Sequence, residues 1–386
     1  MKVGFVNYPR QYKAIKPEID EAMQRCLSNG DLIYRQDLID FERDFAKLHG
    51  CKYGISTGSC TGAMFIALKA LGIGPGDEVI TVAHTYVATV DVIKACGATP
   101  ILVDVNESDM LMNVDLVEKA VTCKTRAIMP VHLNGAMCDM YEISNLAKIH
   151  KIHIVEDAAQ APMASRDGIM PGQLSDVACF SFYPAKVLGS YGEGGMAITD
   201  SAHLADELYL LRDHGETPGY TLLDKVLHRP KDHEIYLWGY NTILDNITAA
   251  VLNVKMKYLK GWIKRRKEIS GIYVKSSLGD LYPKFICPQM THYRNFSHVY
   301  DVWQNYVIRT ENRDALQKHL ESKGIETLVS WRIPLHKQPA LMQELGHFHL
   351  PVTEEISRTC LSLPMYPELT DDEVNYVIES VRSFFE

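Results

Sequence analysis

The chain has 386 residues, of which 46% are apolar and 23% are charged. At about 150 residues per domain, this length predicts two to three domains, and the composition is that of a folded globular protein. A single small module and a disordered chain are excluded. The 40 basic and 48 acidic residues give a net charge of −8. We therefore expect no nucleic-acid partner and no anionic membrane partner, because both attract basic surfaces.

The nine cysteines are scattered and nowhere form Cys-x-x-Cys, which is typical of reduced thiols in a reducing compartment. No apolar run approaches the roughly 18 residues that span a bilayer, and residues 1–10 lack the apolar core of a signal peptide. We therefore expect a cytoplasmic protein. His150 and His153 are three residues apart, but a turn leading into a strand explains them at least as well as zinc does. No metal site is expected.

From Tyr53 to Asp200, short β-branched runs alternate with helical stretches. Several runs are almost continuously apolar, which is typical of strands covered on both faces. The pattern predicts an α/β domain with a mainly parallel sheet. A helix over residues 61–71, ended by glycine and proline, joins the first two strands into a βαβ unit. The predicted strands are residues 53–56, 78–82, 100–104, 126–131, 152–156, 177–182 and 195–199.

After the sheet region, apolar residues at steps of four, three, four and four predict one long amphipathic helix that bridges two domains. These residues are Ile247, Val251, Val254, Tyr258 and Trp262. The basic run at residues 264–267 is expected to be a solvated helix face, with a polyanion site as the alternative. Residues 300–308 are predicted to form a strand, and residues 313–323 and 371–384 helices, of a smaller C-terminal domain. We place the large domain at residues 1–248 and the linking helix with the small domain at residues 249–386.

Two ionisable side chains follow strands of the predicted sheet. Asp157 comes directly after the strand at residues 152–156, and Lys186 comes just after the strand at residues 177–182. Ligands of open α/β folds bind beyond the carboxyl ends of the strands. The separation of 29 residues allows one excursion and return, so a carboxylate and an amine can face one ligand from opposite sides. Structural acids and lysines are also common after strands, so the pair alone does not establish a site.

Further features of the same sheet edge fit a phosphorylated, flat ligand. Ser59, Cys60 and Thr61 lie where a strand gives way to a helix, and the free amides of a helix start bind phosphate, although a plain N-cap produces the same pattern. Tyr86 follows the second strand and could stack on a ring, or be an ordinary core aromatic. The glycine-rich residues 189–195 precede a strand, which argues against a dinucleotide-binding loop.

A phosphate cradle, a stacking aromatic, a carboxylate and a lysine are the parts that pyridoxal phosphate requires. Three motifs resemble the DegT/StrS-type sugar aminotransferases, in the order and spacing of that family. They are Glu156-Asp157-Ala158-Ala159-Gln160, Cys179-Phe180-Ser181-Phe182-Tyr183-Pro184-Ala185-Lys186 and Trp238-Gly239-Tyr240-Asn241. The resemblance covers nearly the whole chain. It implies a fold type I pyridoxal phosphate enzyme, with a mainly parallel seven-stranded sheet between helices and a smaller C-terminal α+β domain.

The resemblance also implies roles for individual residues, with pyridoxal 5′-phosphate as the cofactor. Lys186 matches the lysine that links covalently to the cofactor, and Asp157 matches the partner of the pyridine nitrogen. These two are the expected catalytic residues. Gln160 matches the residue beside the ring hydroxyl, and Tyr86 matches the aromatic that stacks on the ring.

The phosphate ligands implied by the resemblance come from two subunits. Cys60, Thr61 and Ser181 match ligands from the same chain, and Asn241 matches a ligand contributed by the neighbouring subunit. A homodimer with shared active sites is therefore implied. Cys60 stands where the family commonly has glycine, so its backbone amide can bind phosphate only if the cysteine side chain points away.

The chain departs from the family at the expected carboxylate site. Ile243 stands where an arginine often follows the Gly-Tyr-Asn motif, and that arginine is a usual partner for a substrate carboxylate. Arg332 lies in a segment that comes close to the active site in relatives, so its guanidinium could replace the missing one; a surface arginine paired with an acid is the alternative. We name Arg332 and His336 as candidate substrate contacts.

The implied reaction transfers an amino group from L-glutamate to a nucleotide-linked 3-keto or 4-keto deoxysugar, giving an amino sugar for glycans such as lipopolysaccharide O-antigen or for natural products. A keto-cyclitol is the alternative acceptor. A dehydratase branch of the family has histidine at the lysine position, whereas this chain has Lys186. A non-catalytic regulatory homologue could lose Lys186 or Asp157, and both are present.

Overall fold

The computed structural model describes residues 1–216, 235–288 and 298–386. No helix in these ranges is long and apolar enough to cross a membrane. The α-helices are α1 (Tyr8–Asn29), α2 (Gln36–Leu48), α3 (Cys60–Ala70), α4 (Ala88–Ala95), α5 (Val114–Ala120), α6 (Met140–His150), α7 (Ala202–Arg212), α8 (Asn246–Met256), α9 (Leu259–Lys275), α10 (Arg313–Ser322), α11 (Pro339–Leu345), α12 (Pro351–Thr359) and α13 (Asp371–Phe385). The strands are β1 (Tyr53–Thr57), β2 (Glu78–Val82), β3 (Thr99–Val103), β4 (Thr125–Ile128), β5 (His153–Asp157), β6 (Ser165–Arg166), β7 (Val177–Ser181), β8 (Gly195–Thr199), β9 (Val299–Tyr300), β10 (Tyr306–Arg309) and β11 (Cys360–Leu363).

Seven strands form the central sheet in the order β1-β8-β7-β5-β4-β2-β3. Strand β8 is antiparallel to both of its neighbours, and the other pairs are parallel. The prediction of a mainly parallel sheet is confirmed, and all seven predicted strands are present. The largest difference is at β4, which was predicted to reach Val131 and ends at Ile128. The chain stays extended there, since Val131 forms an isolated bridge with Asp157.

The sheet is buried on both faces because successive apolar side chains point to opposite sides. Along β5, Ile154 packs into one core cluster and Val155 into the other. The first cluster includes residues of α2, α6 and α8, and the second includes residues of α3, α4 and α7. The sheet therefore lies between two helical layers. The loops that follow the parallel strands all lie at one edge of the sheet.

The predicted linking helix is two helices. At Lys257 and Tyr258 the backbone amides bond to carbonyls three residues back, Val254 O at 3.2 Å and Lys255 O at 3.0 Å. This tighter turn separates α8 from α9, so the prediction of one continuous helix is wrong at this point. The predicted apolar stripe is confirmed, because its residues pack against the buried face of α1.

The C-terminal part of the chain has its own core. Strands β10 and β11 pair antiparallel, with Tyr306 opposite Leu363, and side chains from α9, α10 and α13 pack around them. The prediction of one strand over residues 300–308 is wrong, because residues 301–305 separate β9 from β10. Trp303 has a left-handed φ of 54°, which turns the chain out of an extended conformation.

Candidate active site

A cavity of about 850 Å³ lies at the carboxyl ends of the parallel strands. Loops after β1, β2, β4, β5 and β7 line one side of it, and residues of the C-terminal part of the chain line the other. The structure therefore brings most of the predicted cofactor residues into one cavity. They are Cys60, Thr61, Tyr86, Asp157, Gln160, Ser181 and Lys186.

Lys186 lies in a tight turn after β7. Its backbone amide donates to the Tyr183 carbonyl at 2.9 Å, and the chain then folds back so closely that a Cβ at Gly189 would lie 2.2 Å from Pro184 O. Lys186 Nζ has no hydrogen bond or ion pair with any residue the structure describes. Burial lowers the pKa of Lys186, and the Asp157 charge opposes this only in part. A larger neutral fraction makes the amine a better nucleophile toward an aldehyde.

Asp157 is held in one orientation by donors to both carboxylate oxygens. Thr89 Oγ1 lies 2.7 Å from Oδ2, and the Ala159 amide lies 3.2 Å from Oδ1. The Thr85 and Thr89 hydroxyls are 2.9 Å apart, so a second hydroxyl fixes the first. Asp157 is only 5% exposed. The carboxylate is therefore fixed and shielded where a pyridine nitrogen needs an anion. The two threonines were not predicted from the sequence.

Glu156, the first residue of the Glu-Asp motif, forms hydrogen bonds with two neighbouring loops behind Asp157. Its Oε2 lies 2.5 Å from His132 Nε2, and its Oε1 accepts from the Gly172 amide at 2.8 Å. His132 Nδ1 accepts from the Cys138 amide at 3.2 Å, so the ring proton lies on Nε2 and is donated to Glu156. Because His132 also lines the cavity, this buried pair supports its wall.

The start of α3 offers an anion site. The Ser59 hydroxyl caps the helix by accepting from the Gly62 amide at 3.1 Å, whereas the first amides of a helix have no partner within it. Cys60 packs in the core, and burial raises the pKa of its thiol well above the usual value. The side chain thus points into the core while Cys60 also borders the cavity. The cysteine side chain therefore fits at a position where the family commonly has glycine.

Gly195, the first residue of β8, lies directly behind this helix start. A Cβ at Gly195 would lie 2.3 Å from the carbonyl carbon of Ser59 and 2.4 Å from Cys60 N. Only glycine permits so close a backbone approach. The free helix amides, a partnerless amine and a fixed carboxylate therefore fit a phosphorylated aldehyde cofactor such as pyridoxal phosphate.

Three further predicted residues line the cavity with different partners. Tyr86 is 63% exposed, so it is not a core aromatic and its ring is available for stacking. Gln160 Oε1 accepts from the Asn134 amide at 2.8 Å. Ser181 Oγ accepts from the Tyr183 amide at 3.2 Å, which leaves its hydroxyl proton for a ligand.

Asn241 lies outside the cavity of its own chain and is exposed. The adjacent backbone runs beside the start of α3, because Gly58 N donates to Thr242 O at 2.8 Å. Asn241 is therefore accessible to another molecule and is not a ligand within its own chain's cavity. Ile243 is partly buried and supplies no charge.

The two candidate substrate contacts lie outside this cavity in their own chain. Arg332 Nη1 pairs with Asp314 at 2.7 Å and does not line the cavity. His336 is buried, and its Nε2 bonds to Glu354 at 3.1 Å, also away from the cavity. The physical reason is local: Trp331 has a left-handed φ of 50°, so Trp331 faces the cavity and Arg332 faces the opposite side.

Arg266 was predicted to lie on a solvated helix face, and this prediction is wrong. Arg266 is buried and borders the cavity. Its Nη1 donates to the carbonyls of Trp303, Gln304 and Met365 at 3.0, 3.3 and 2.8 Å. Burial lowers the pKa of Arg266 to about 10. The sequence held a usable signal, because the apolar stripe continued by four residues from Trp262 falls on Arg266.

Comparisons with known proteins point in the same direction. The model of the DegT/DnrJ/EryC1/StrS aminotransferase family matches residues 13–382. A Geobacillus stearothermophilus protein named pleiotropic regulatory protein is 38% identical, over 100% of this chain and 99% of its own length. The dTDP-3-amino-3,4,6-trideoxy-alpha-D-glucose transaminase of Streptomyces venezuelae is 38% identical, over 100% of this chain and 97% of its own length. The crystal structure of S. venezuelae DesV in complex with a ketimine intermediate has a TM-score of 0.90 at 36% identity, covering 100% of this chain and 99% of that one.

Proposed function

Because the chain belongs to the DegT/DnrJ/EryC1/StrS aminotransferase family, we propose that it moves the amino group of L-glutamate to a nucleotide-linked 3-keto or 4-keto deoxysugar. The protein is a sugar aminotransferase with the fold of type I pyridoxal phosphate enzymes, and its cofactor is pyridoxal 5′-phosphate. One observation carries the proposal. Lys186 and Asp157 line one cavity whose wall includes the start of α3.

Different residues of the chain have different roles in the proposed reaction. When bound, pyridoxal phosphate supplies an aldehyde carbon and a ring that withdraws electrons from the substrate carbon. Lys186 Nζ would hold the cofactor, and the same amine, when free, would move a proton at the substrate carbon. Asp157 would keep the proton on the ring nitrogen, and the first amides of α3 would bind the phosphate. Donor and acceptor use the same cavity in turn, so we expect ping-pong kinetics.

The nature of the acceptor is supported by the relatives and by the space available. The S. venezuelae relative is named a dTDP-amino-sugar transaminase. The cavity of about 850 Å³ is near the upper end of the range for small-molecule sites, which suits a cofactor together with a nucleotide sugar. A keto-cyclitol is the alternative acceptor, and it needs less of this space.

We also propose a homodimer with shared active sites. Asn241 is exposed outside its own cavity, and Trp238 beside it is 87% exposed. Ile235 and Tyr236 are also more than half exposed, and several exposed apolar side chains close together are typical of an interaction surface. In this arrangement Asn241 binds the phosphate held by the second chain.

A non-catalytic regulatory role is the second candidate, because one relative is named a pleiotropic regulatory protein. Lys186 and Asp157 argue against it, since a protein without turnover has no need of a partnerless amine beside a fixed carboxylate. Lys186 also argues against the dehydratase branch, which has histidine at this position. Both alternatives predict no amino product.

The test supplies purified protein with ¹⁵N-labelled L-glutamate and a panel of dTDP- and UDP-linked 3-keto and 4-keto sugars plus a keto-cyclitol. Mass spectrometry then follows transfer of the label. We expect one class of nucleotide sugar to gain ¹⁵N, with no transfer by Lys186→Ala and full transfer by Lys148→Ala, which changes an exposed lysine of α6. Preferred labelling of the cyclitol would select the alternative acceptor. No labelled product with any acceptor would contradict the proposal.

A further inference from the structure

Residues 301–305, which interrupt the predicted strand, reach across to the loop that carries Lys186. Gln304 in this segment is 8% exposed and borders the cavity. Its side-chain amide makes two hydrogen bonds to that loop. Nε2 donates to Ala185 O at 2.8 Å, and Oε1 accepts from Val187 N at 2.9 Å.

The two bonds lie on either side of Lys186 in the sequence. One amide group therefore fixes the carbonyl before the lysine and the amide after it, which restrains the backbone dihedrals of Lys186 itself. No other side chain in the described residues bonds to the backbone of Ala185 or Val187. Since the position of Nζ depends on this backbone, a loose loop would spread the amine over several positions.

The segment that carries Gln304 is itself held by Arg266 and by the loop after β4. Arg266 Nη1 donates to the carbonyls of Trp303 and Gln304. Val302 N donates to Gly135 O at 2.9 Å, and Asn305 Nδ2 donates to Asn134 Oδ1 at 3.1 Å. A Cβ at Gly135 would lie 2.7 Å from the backbone nitrogens of Trp303 and Gln304. The segment therefore has a fixed position from which its glutamine can hold the loop.

We propose that Gln304 is a positioning residue, which sets the place of Lys186 Nζ through the backbone of the Ala185–Val187 loop. The inference rests on the proposed function in taking Lys186 as the reacting amine. Gln304 does not touch that amine. Its removal should therefore lower the rate of the steps that use Lys186 and leave substrate binding nearly unchanged.

The test compares Gln304→Leu with Gln173→Leu. Gln173 makes an equivalent pair of side-chain bonds to backbone, to His49 O at 2.9 Å and from Met170 N at 3.2 Å, but it does not line the cavity. Each variant loses two side-chain hydrogen bonds to backbone that are at least partly buried. A general loss of stability should therefore affect both variants alike, and thermal unfolding measures it.

Two measurements separate positioning from stability. In the apoprotein, hydrogen exchange of the peptide containing Val187 should become faster in Gln304→Leu and stay unchanged in Gln173→Leu. In the loaded enzyme, kcat should fall roughly 10- to 100-fold in Gln304→Leu, with KM for both substrates within about threefold. Unchanged Val187 exchange, or a kcat equal to that of Gln173→Leu, would overturn the proposal.

If Gln304→Leu does not fold, Gln304→Glu provides a second test of the proposal. Glutamate keeps an acceptor for Val187 N but donates to Ala185 O only when its carboxyl is protonated. We expect exchange at Val187 to slow, relative to the unaltered protein at each pH, as the pH falls. A difference in Val187 exchange that does not depend on pH would contradict the proposed role of Gln304. If the unaltered protein shows no transamination, the proposed function fails, while the exchange result still decides the role of Gln304.

Discussion

The Asp157 carboxylate owes its orientation to a hydroxyl on another element. Thr89 lies on α4, donates to Oδ2 at 2.7 Å, and is itself bonded to the Thr85 hydroxyl. A hydrogen bond to a charged group contributes more than one between neutral groups. The anion that faces the cofactor ring is therefore positioned by α4 as well as by β5.

Thr89→Val removes this donor while keeping the side-chain shape. We expect kcat to fall about tenfold, in line with a lost bond to a charged group of about 1.5–3 kcal/mol. Thr81→Val is the matched control, because the buried Thr81 hydroxyl donates to Met129 O at 2.8 Å. Both variants should lower the melting temperature, Thr89→Val by more because its lost bond is to a charged group. Steady-state kinetics that are equal in the two variants would show that Thr89 has no special link to Asp157.

Arg332 makes a surface ion pair with Asp314 in this structure and donates a hydrogen bond to Gln317 Oε1 at 3.1 Å. Exposed ion pairs contribute about 0–1 kcal/mol. From this geometry we expect Arg332→Ala to leave the half-saturation constant for glutamate unchanged and stability nearly so. The sequence-based hypothesis of a carboxylate contact predicts an increase of several-fold instead. Glutamate titrations of the purified variant decide between the two.

Sequence reasoning found the site residues that follow strands but not those that support them. Lys186 and Asp157 were predicted from their position after strands, and both line the cavity. Gln304 was missed because its side-chain contacts join residues 117 and 119 positions apart along the chain. Such contacts depend on how the C-terminal part packs onto the sheet, and no local pattern encodes that.

At the scale of elements, the start of α3 and the first residue of β8 pack backbone against backbone. A Cβ added at Gly195 would lie 2.3 Å from the carbonyl carbon of Ser59 and 2.4 Å from the backbone nitrogen of Cys60. Backbone atoms cannot move aside as a flexible side chain can. An added methyl group must therefore displace the helix amides from the cavity wall.

Gly195→Ala should weaken cofactor binding at least tenfold and lower the free energy of unfolding by about 1–3 kcal/mol through overpacking. Gly192→Ala is the control, because a Cβ there meets no atom within 4 Å. Cofactor titration followed by absorbance gives the affinity, and denaturant unfolding of the apoprotein gives the stability. Unaltered affinity in Gly195→Ala would show that this helix start does not hold the phosphate.

The elements themselves were well predicted where one periodicity extended over their whole length. The seven strands of the sheet are short apolar runs between turns, and burial on both faces keeps that pattern. The strand expected at residues 300–308 failed because Trp303 turns left-handed, which brings Gln304 to the Lys186 loop. A tertiary contact overrode the local pattern. The domain boundary at residues 248/249 stays a prediction.

At the scale of the whole molecule, the proposed dimer makes a prediction about mixed chains. Lys186→Ala should be inactive and Asn241→Ala weakly active, but a hybrid dimer has one site with both residues intact. Random mixing should restore about a quarter of the unaltered activity, since half of the dimers are hybrids and each has one intact site.

The control mixes Lys186→Ala with Asp157→Ala, whose changes fall in the same chain's cavity. No hybrid site is then intact, so no activity should return. Enzyme assays after mild unfolding and refolding of the mixtures provide the measurement. Recovery in the control mixture as well, or in neither mixture, would argue against sites shared between chains.

Borohydride reduction shows whether Lys186 is the amine that carries the cofactor. The loaded protein is reduced, digested and mapped by mass spectrometry, which identifies the residue that holds the reduced pyridoxyl phosphate group. We expect a yellow protein with one modified residue, Lys186, and no stable adduct in Lys186→Ala. An adduct on another lysine, or the same adduct yield in Lys186→Ala, would contradict it.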